Sequence, residues 1–125
     1  MLIDDDPDEL EVFNHVLDLL QVPCACIQAL NTDLAIQLLQ NISPDIIFLD
    51  HKIPIKYGLV CLAEIRQLPN YQETPVIFCS NALSSDLEQK ALKAGATVCI
   101  KKYDQLSQLK DLLSKILLDS YLIRK

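Results

Sequence analysis

Residues 44–59 read PDIIFLDHKIPIKYGL. The run from Ile46 to Leu49 is apolar at every position and ends in an aspartate, Asp50. Four residues are too few for a buried helix, and the β-branched content favours a strand. A strand apolar on both faces belongs in a parallel sheet covered by helices on both sides. After Asp50 the chain turns through Pro54 and Gly58 into an amphipathic stretch carrying Leu59, Leu62 and Ile65. Strand, turn and helix in that order is half of a βαβ unit, with a carboxylate at the carboxyl end of the strand, where open α/β sheets keep their function.

The same alternation extends in both directions. Further strands are expected at residues 1–3, at Val22 to Ile27, at Val76 to Cys79 and at Thr97 to Ile100. Between them, Leu10, Phe13, Leu17 and Leu20 recur at helical spacing behind Pro7, and a second helix is expected from Thr32 to Gln40. The helix through Leu59, Leu62 and Ile65 stops before Pro69. A fourth carries Leu83, Leu87, Ala91 and Ala94, with Ser85 and Glu88 at capping-box spacing and Gly95 at the C-cap. A fifth runs from Tyr103 or Asp104 toward Leu122. Five β-α repeats joined by right-handed crossovers predict an α/β fold, a (βα)5 doubly wound parallel sheet of the flavodoxin-like class with strand order 2-1-3-4-5.

The chain has 125 residues, half of them hydrophobic and 22% charged, which fits one globular domain over 1–125. Its net charge of −6 would be repelled by nucleic-acid phosphates, so no direct nucleic-acid binding is expected. MLIDDD is too short and acidic for a signal peptide, and no apolar run reaches membrane-spanning length, so a cytoplasmic protein with no membrane partner is expected. Five cysteines, Cys24, Cys26, Cys61, Cys79 and Cys99, exclude a full disulfide framework. They read as small buried hydrophobes in a reducing compartment, in preference to a Cys24–Cys26 metal or redox pair.

The strand ends carry the chemistry. Strand one ends in Asp4, Asp5 and Asp6, strand three in Asp50, strand four in Ser80 and strand five in Lys101 and Lys102. With strands one and three adjacent, Asp4, Asp5 and Asp50 converge and repel unless a cation joins them. Oxygen ligands suit a hard divalent ion, above all Mg²⁺. Lys102 adds a positive charge and Ser80 a hydroxyl, making a pocket for an oxyanion attached to a carboxylate. Singly, each residue has a plainer reading, and Asp6 and Asp8 read as loop or N-cap residues. Neighbours on a strand alternate, so Lys102 faces the acids and Lys101 faces away.

At this point the sequence resembles the receiver domains of two-component response regulators, the CheY-like family, over essentially its whole length. LIDDDPDEL resembles the first strand and acid pair, and PDIIFLDHKIPIKYGL the acceptor segment. TPVIFCSNA resembles the fourth strand with its switch hydroxyl, and KAGATVCIKK the approach to the lysine, which falls on Lys102. The resemblance implies that Asp50 is phosphoacceptor and metal ligand, that Asp5 binds the metal directly and Asp4 through water, and that Lys52 lends its backbone carbonyl. It implies a phosphoryl group received from a histidine kinase or phosphotransfer protein, a conformational switch, and an unknown downstream protein. It implies no turnover beyond the domain's own phosphorylation and dephosphorylation. Three departures stand out: Tyr103 where the family usually has proline, Cys99 where it has an aromatic residue, and Asn81 where alanine is common.

Three other functions use similar parts. A haloacid dehalogenase-like phosphatase wants D-x-D-x-[T/V] after strand one, and Asp8 stands where the Thr or Val would be. A flavodoxin-like cofactor binder needs a phosphate cradle where this chain has three aspartates. A non-phosphorylated interaction scaffold would not need the acids, hydroxyl and lysine together. On the last helix, Leu106, Leu109, Leu113 and Ile116 have core spacing. Leu112, Leu117, Leu118, Tyr121 and Leu122 widen the apolar surface, either as a broad core contact or as a docking or homodimer face.

Overall fold

The structure is a computed structural model that describes residues 1–53 and 56–118. Five strands, β1 (Leu2–Ile3), β2 (Gln28–Ala29), β3 (Ile47–Asp50), β4 (Val76–Ser80) and β5 (Val98–Lys101), form one parallel sheet. Their order is β2-β1-β3-β4-β5, as the alternation predicts. The helices are α1 (Glu9–Leu19), α2 (Thr32–Leu39), α3 (Gly58–Gln67), α4 (Ser85–Ala94) and α5 (Leu106–Leu113), the last continuing into a π-helical turn, Ser114–Leu118.

The sheet separates two cores. Ile3, Ile47, Leu49, Val76 and Phe78 point to one face and pack with Ala35 and Leu39 of α2, Cys61, Leu62 and Ile65 of α3, and Ala91 of α4. Leu2, Phe48 and Ile77 point to the other, against Phe13, Val16 and Leu17 of α1 and Leu109 and Leu113 of α5. Alternate residues of each central strand thus feed opposite cores, which is why those strands are apolar throughout.

The sequence places β2 too early. In the observed register Leu2 pairs with Gln28 and Ile3 with Ala29. Within the expected run, Pro23 has no N–H to offer a ladder. The α4 cap also sits one residue earlier than expected: Ser84 Oγ accepts from Leu87 N at 3.1 Å. Gly95 ends that helix at φ +113, where an added Cβ would also meet the Arg66 side chain at 2.9 Å. Helix α5 starts at Leu106, because Gln108 Oε1 accepts from the backbone N–H groups of Asp104 and Gln105 and holds the preceding turn open. Leu106, expected in the core, is 49% exposed, while Leu109, Leu113 and Ile116 are buried. Leu112 and Leu117 pack at the edge of the α1–α5 core. Pro54, the side chain of Leu118, and Tyr121 and Leu122 lie outside the described residues. Of the cysteines only Cys61 is fully buried, and Cys24 is exposed.

Candidate functional site

Four of the five strands, β1, β3, β4 and β5, bring Asp4, Asp50, Ser80 and Lys102 to the carboxyl edge of the sheet. Asp4 follows β1 directly and is 7% exposed; Asp50 closes β3 and is 9% exposed. Ligand oxygens of Asp4, Asp5 and Asp50 all lie within 4.8 Å of one another, the one such group of potential metal ligands among the described residues. Lys102 Nζ reaches into this cluster, 2.9 Å from Asp4 Oδ2 and 3.6 Å from Asp50 Oδ2, while Lys101 is exposed. Ser80, at the end of β4, is buried, and its Oγ accepts from Ala82 N at 3.2 Å. Lys52 lies two residues past Asp50 in the β3–α3 loop with its side chain exposed.

Backbone bonds hold the edge together. Lys102 N donates to Ser80 O at 2.9 Å, and His51 N to Cys79 O at 2.8 Å. Gly58 N donates to His51 O at 2.8 Å and closes the loop behind Asp50. A Cβ on Gly58 would meet His51 Cα at 2.8 Å and Asp50 O at 2.9 Å, so only glycine allows this approach. The acid turn is built from its own carboxylates: Asp4 Oδ1 accepts from Asp6 N and Asp6 Oδ1 from Asp8 N, both at 3.0 Å. Asp6 thus plays the loop role expected of it, whereas Asp8, at the N-cap position of α1, makes no side-chain cap.

The electrostatics follow from crowding acids in a half-dry pocket. Burial pushes the Asp50 carboxyl up from 3.8 to about 6, Lys102 opposing this and Asp4 and Asp5 adding to it. Burial would lower Lys102, but the hydrogen bond to Asp4 and the charges of Asp50, Asp4 and Glu9 outweigh it and leave the ammonium pushed up to about 12. Burial also lowers His51, whose Nδ1 has no hydrogen-bond partner among the described residues. Three carboxylates on one edge, all hard oxygen donors and one held far above its ordinary range, suit a divalent cation.

Three participants were not read from the sequence. Tyr103 donates its hydroxyl to Glu9 Oε2 and sets its ring edge-on to Phe13, with centroids 6.4 Å apart. Gln28 Nε2 donates to Asp4 O at 2.9 Å and to Asp6 O at 2.7 Å, tying β2 to the acid turn. Tyr103 had one signal, its place directly after the lysine; Glu9 and Gln28 had none.

A doubly wound sheet whose acids, hydroxyl and lysine meet at the strand ends defines a class of phosphoacceptor-type switch domains. Comparison with known proteins places the chain within that class. It belongs to the response regulator receiver domain family, whose model matches residues 1–114. It is 30% identical over 115 residues to the probable C4-dicarboxylate response regulator DctR of Bacillus subtilis, covering 92% of this chain and 50% of that protein. It is 34% identical over 106 residues to protein-glutamate methylesterase/protein-glutamine glutaminase 2 of Rhizobium johnstonii, covering 82% of this chain and 28% of that one. The chain thus spans half or less of the curated relatives it matches. The structure of the phosphorylated cyanobacterial phytochrome response regulator RcpA superposes with a TM-score of 0.84 at 25% identity, covering 99% of this chain and 96% of that one. The protein is accordingly a phosphoacceptor receiver domain of two-component signalling, and neither the phosphatase nor the scaffold reading is favoured. No helix among the described residues is long and apolar enough to cross a membrane.

Proposed function

We propose that Asp50 is the phosphoacceptor and that residues 1–125 work as one receiver unit. A histidine kinase or phosphotransfer protein presents an N-phosphohistidine; a carboxylate oxygen of Asp50 attacks its phosphorus in line. The new O–P bond forms as the P–N bond breaks, and the imidazole leaves with the electron pair. The observation carrying this reading is the placement of Asp50: a buried carboxylate within 3.6 Å of a lysine ammonium and beside two further acids. Asp4, Asp5, Asp50 and the Lys52 backbone carbonyl would hold Mg²⁺, with Asp5 as a direct ligand and Asp4 through water. Bound there, Mg²⁺ would stabilise the charge on the transferring phosphoryl group. Lys102 balances negative charge on the phosphoryl oxygens, and the Ser80 hydroxyl donates to one of them once released from its turn.

The domain acts on itself and turns over no separate substrate. Its output is a population shift in the β4–α4 and β5 surface, read by a downstream protein or a second copy of the chain. Light scattering with and without a phosphoryl mimic tests the second copy. For the acceptor, incubation with a small acyl phosphate and Mg²⁺ should add one phosphoryl group by intact mass, and Asp50→Asn should add none. Labelling that persists in Asp50→Asn would move the acceptor elsewhere.

A further inference from the structure

The Lys102 ammonium is the one positive charge reaching the cluster of Asp4, Asp5 and Asp50 among the described residues, and a fourth acid, Glu9, stands near it. Glu9, in the first turn of α1, lines the same small cavity as Asp4, Asp50, Lys102 and Tyr103, and its charge acts on Lys102. Yet Glu9 makes no ion pair with Lys102 within 4 Å; its carboxylate is taken by the Tyr103 hydroxyl. The Tyr103 ring is fixed independently, half-buried and edge-on to Phe13, which in turn stands edge-on to buried Phe48 at 5.3 Å.

We propose that Tyr103 is a positioning residue for phosphoryl transfer: by engaging Glu9 it keeps that carboxylate from drawing Lys102 away from Asp4 and Asp50. A flexible lysine next to several carboxylates pairs with whichever is least satisfied. Asp4 Oδ1 is already engaged by the Asp6 N–H, and Asp50 is reached only at 3.6 Å. A Glu9 freed of its hydroxyl partner is therefore a strong competitor. The aromatic stack sets where the hydroxyl sits, the hydroxyl sets where Glu9 points, and Glu9 leaves Lys102 to the reacting carboxylate.

This inference rests on the roles given above to Asp50 and Lys102, and its test separates the two. Tyr103→Phe removes one oxygen and keeps the ring on Phe13. The rate of labelling by a small acyl phosphate with Mg²⁺ is measured for wild type, Tyr103→Phe, and Tyr103→Phe with Glu9→Gln. In metal-free protein, the Lys102 side-chain amine resonance is followed by NMR, assigned through Lys102→Arg. Tyr103→Phe should label roughly tenfold more slowly, the scale of one misplaced charge-assisted hydrogen bond. It should also displace the Lys102 resonance, and the double variant should recover both. A loss that was merely structural would persist in the double variant and show as lowered urea stability. Equal rates in wild type and Tyr103→Phe, or a double variant as slow as the single, overturns the inference. Tyr103→Leu, also lacking the hydroxyl, carries the same expectations should the phenylalanine protein fold poorly. If wild type takes no label, or Asp50→Asn does, it is the acceptor reading that fails instead.

Discussion

Asp50→Asn should make the metal-free protein more stable at neutral pH, although it removes the reacting group. The Asp50 carboxyl sits at about 6 in the folded chain against an ordinary 3.8. Folding therefore favours its protonated form, and the stability this group lends is complete below about pH 4 and lost as pH rises through about 6. The gap, at about 1.4 kcal/mol per pH unit, is worth about 3 kcal/mol. Asparagine imitates the protonated acid in shape and charge, so the variant should gain about that much at pH 7 and almost nothing near pH 3.5. For 125 residues, an unfolding entropy of about 2.1 cal/mol/K per residue makes about 3 kcal/mol equal to roughly 11 °C in melting temperature. Urea denaturation of both proteins from about pH 3.5 to 7.5 in the presence of chelator measures it directly. Adding Mg²⁺ should stabilise wild type more than the variant, since a ligand stabilises the state that binds it. A variant less stable than wild type at pH 7, or a difference that does not change with pH, would refute the account of a strained acid cluster.

Three further outcomes follow from the geometry. Lys102→Met leaves Asp4 and Asp50 without their cation and should cost about 3 kcal/mol at neutral pH, much of it regained in acid, by the same urea titration. Gly58→Ala forces a methyl against His51 Cα and Asp50 O, and should cost about 1–3 kcal/mol and slow acceptor labelling by shifting Asp50. Tyr71→Phe removes the hydroxyl that donates to Leu39 O at 2.7 Å and Ile42 O at 2.5 Å, and should lower stability by about 1–3 kcal/mol while leaving the labelling rate unchanged.

What could be read from the sequence, and what could not, divides along a physical line. In a parallel sheet the strands end on one edge however far apart they lie in the chain, so the residue after each apolar run becomes a neighbour of the others. Asp4, Asp50, Ser80 and Lys102 were legible for that reason, and the register supplies the detail: Asp50 stands opposite Cys79 and Ser80 opposite Lys101. Stepped this way, the strand ends allow Lys102, one residue past β5, to reach back to Asp4 one residue past β1. The Val22–Ile27 run reads as a strand because β-branched and apolar residues fit one, but composition does not set register, and the observed pairing joins β1 to Gln28 and Ala29. Nor does any periodicity announce that Tyr103 meets Glu9, since a contact between a loop side chain and the first turn of a helix obeys no repeat. The strand ends decide which groups meet; the loop contacts decide how freely those groups move. If Tyr103 holds Glu9 as proposed, the choice of one lysine between Asp4, Asp50 and Glu9 is set by a residue whose only mark in the chain is its place directly after that lysine.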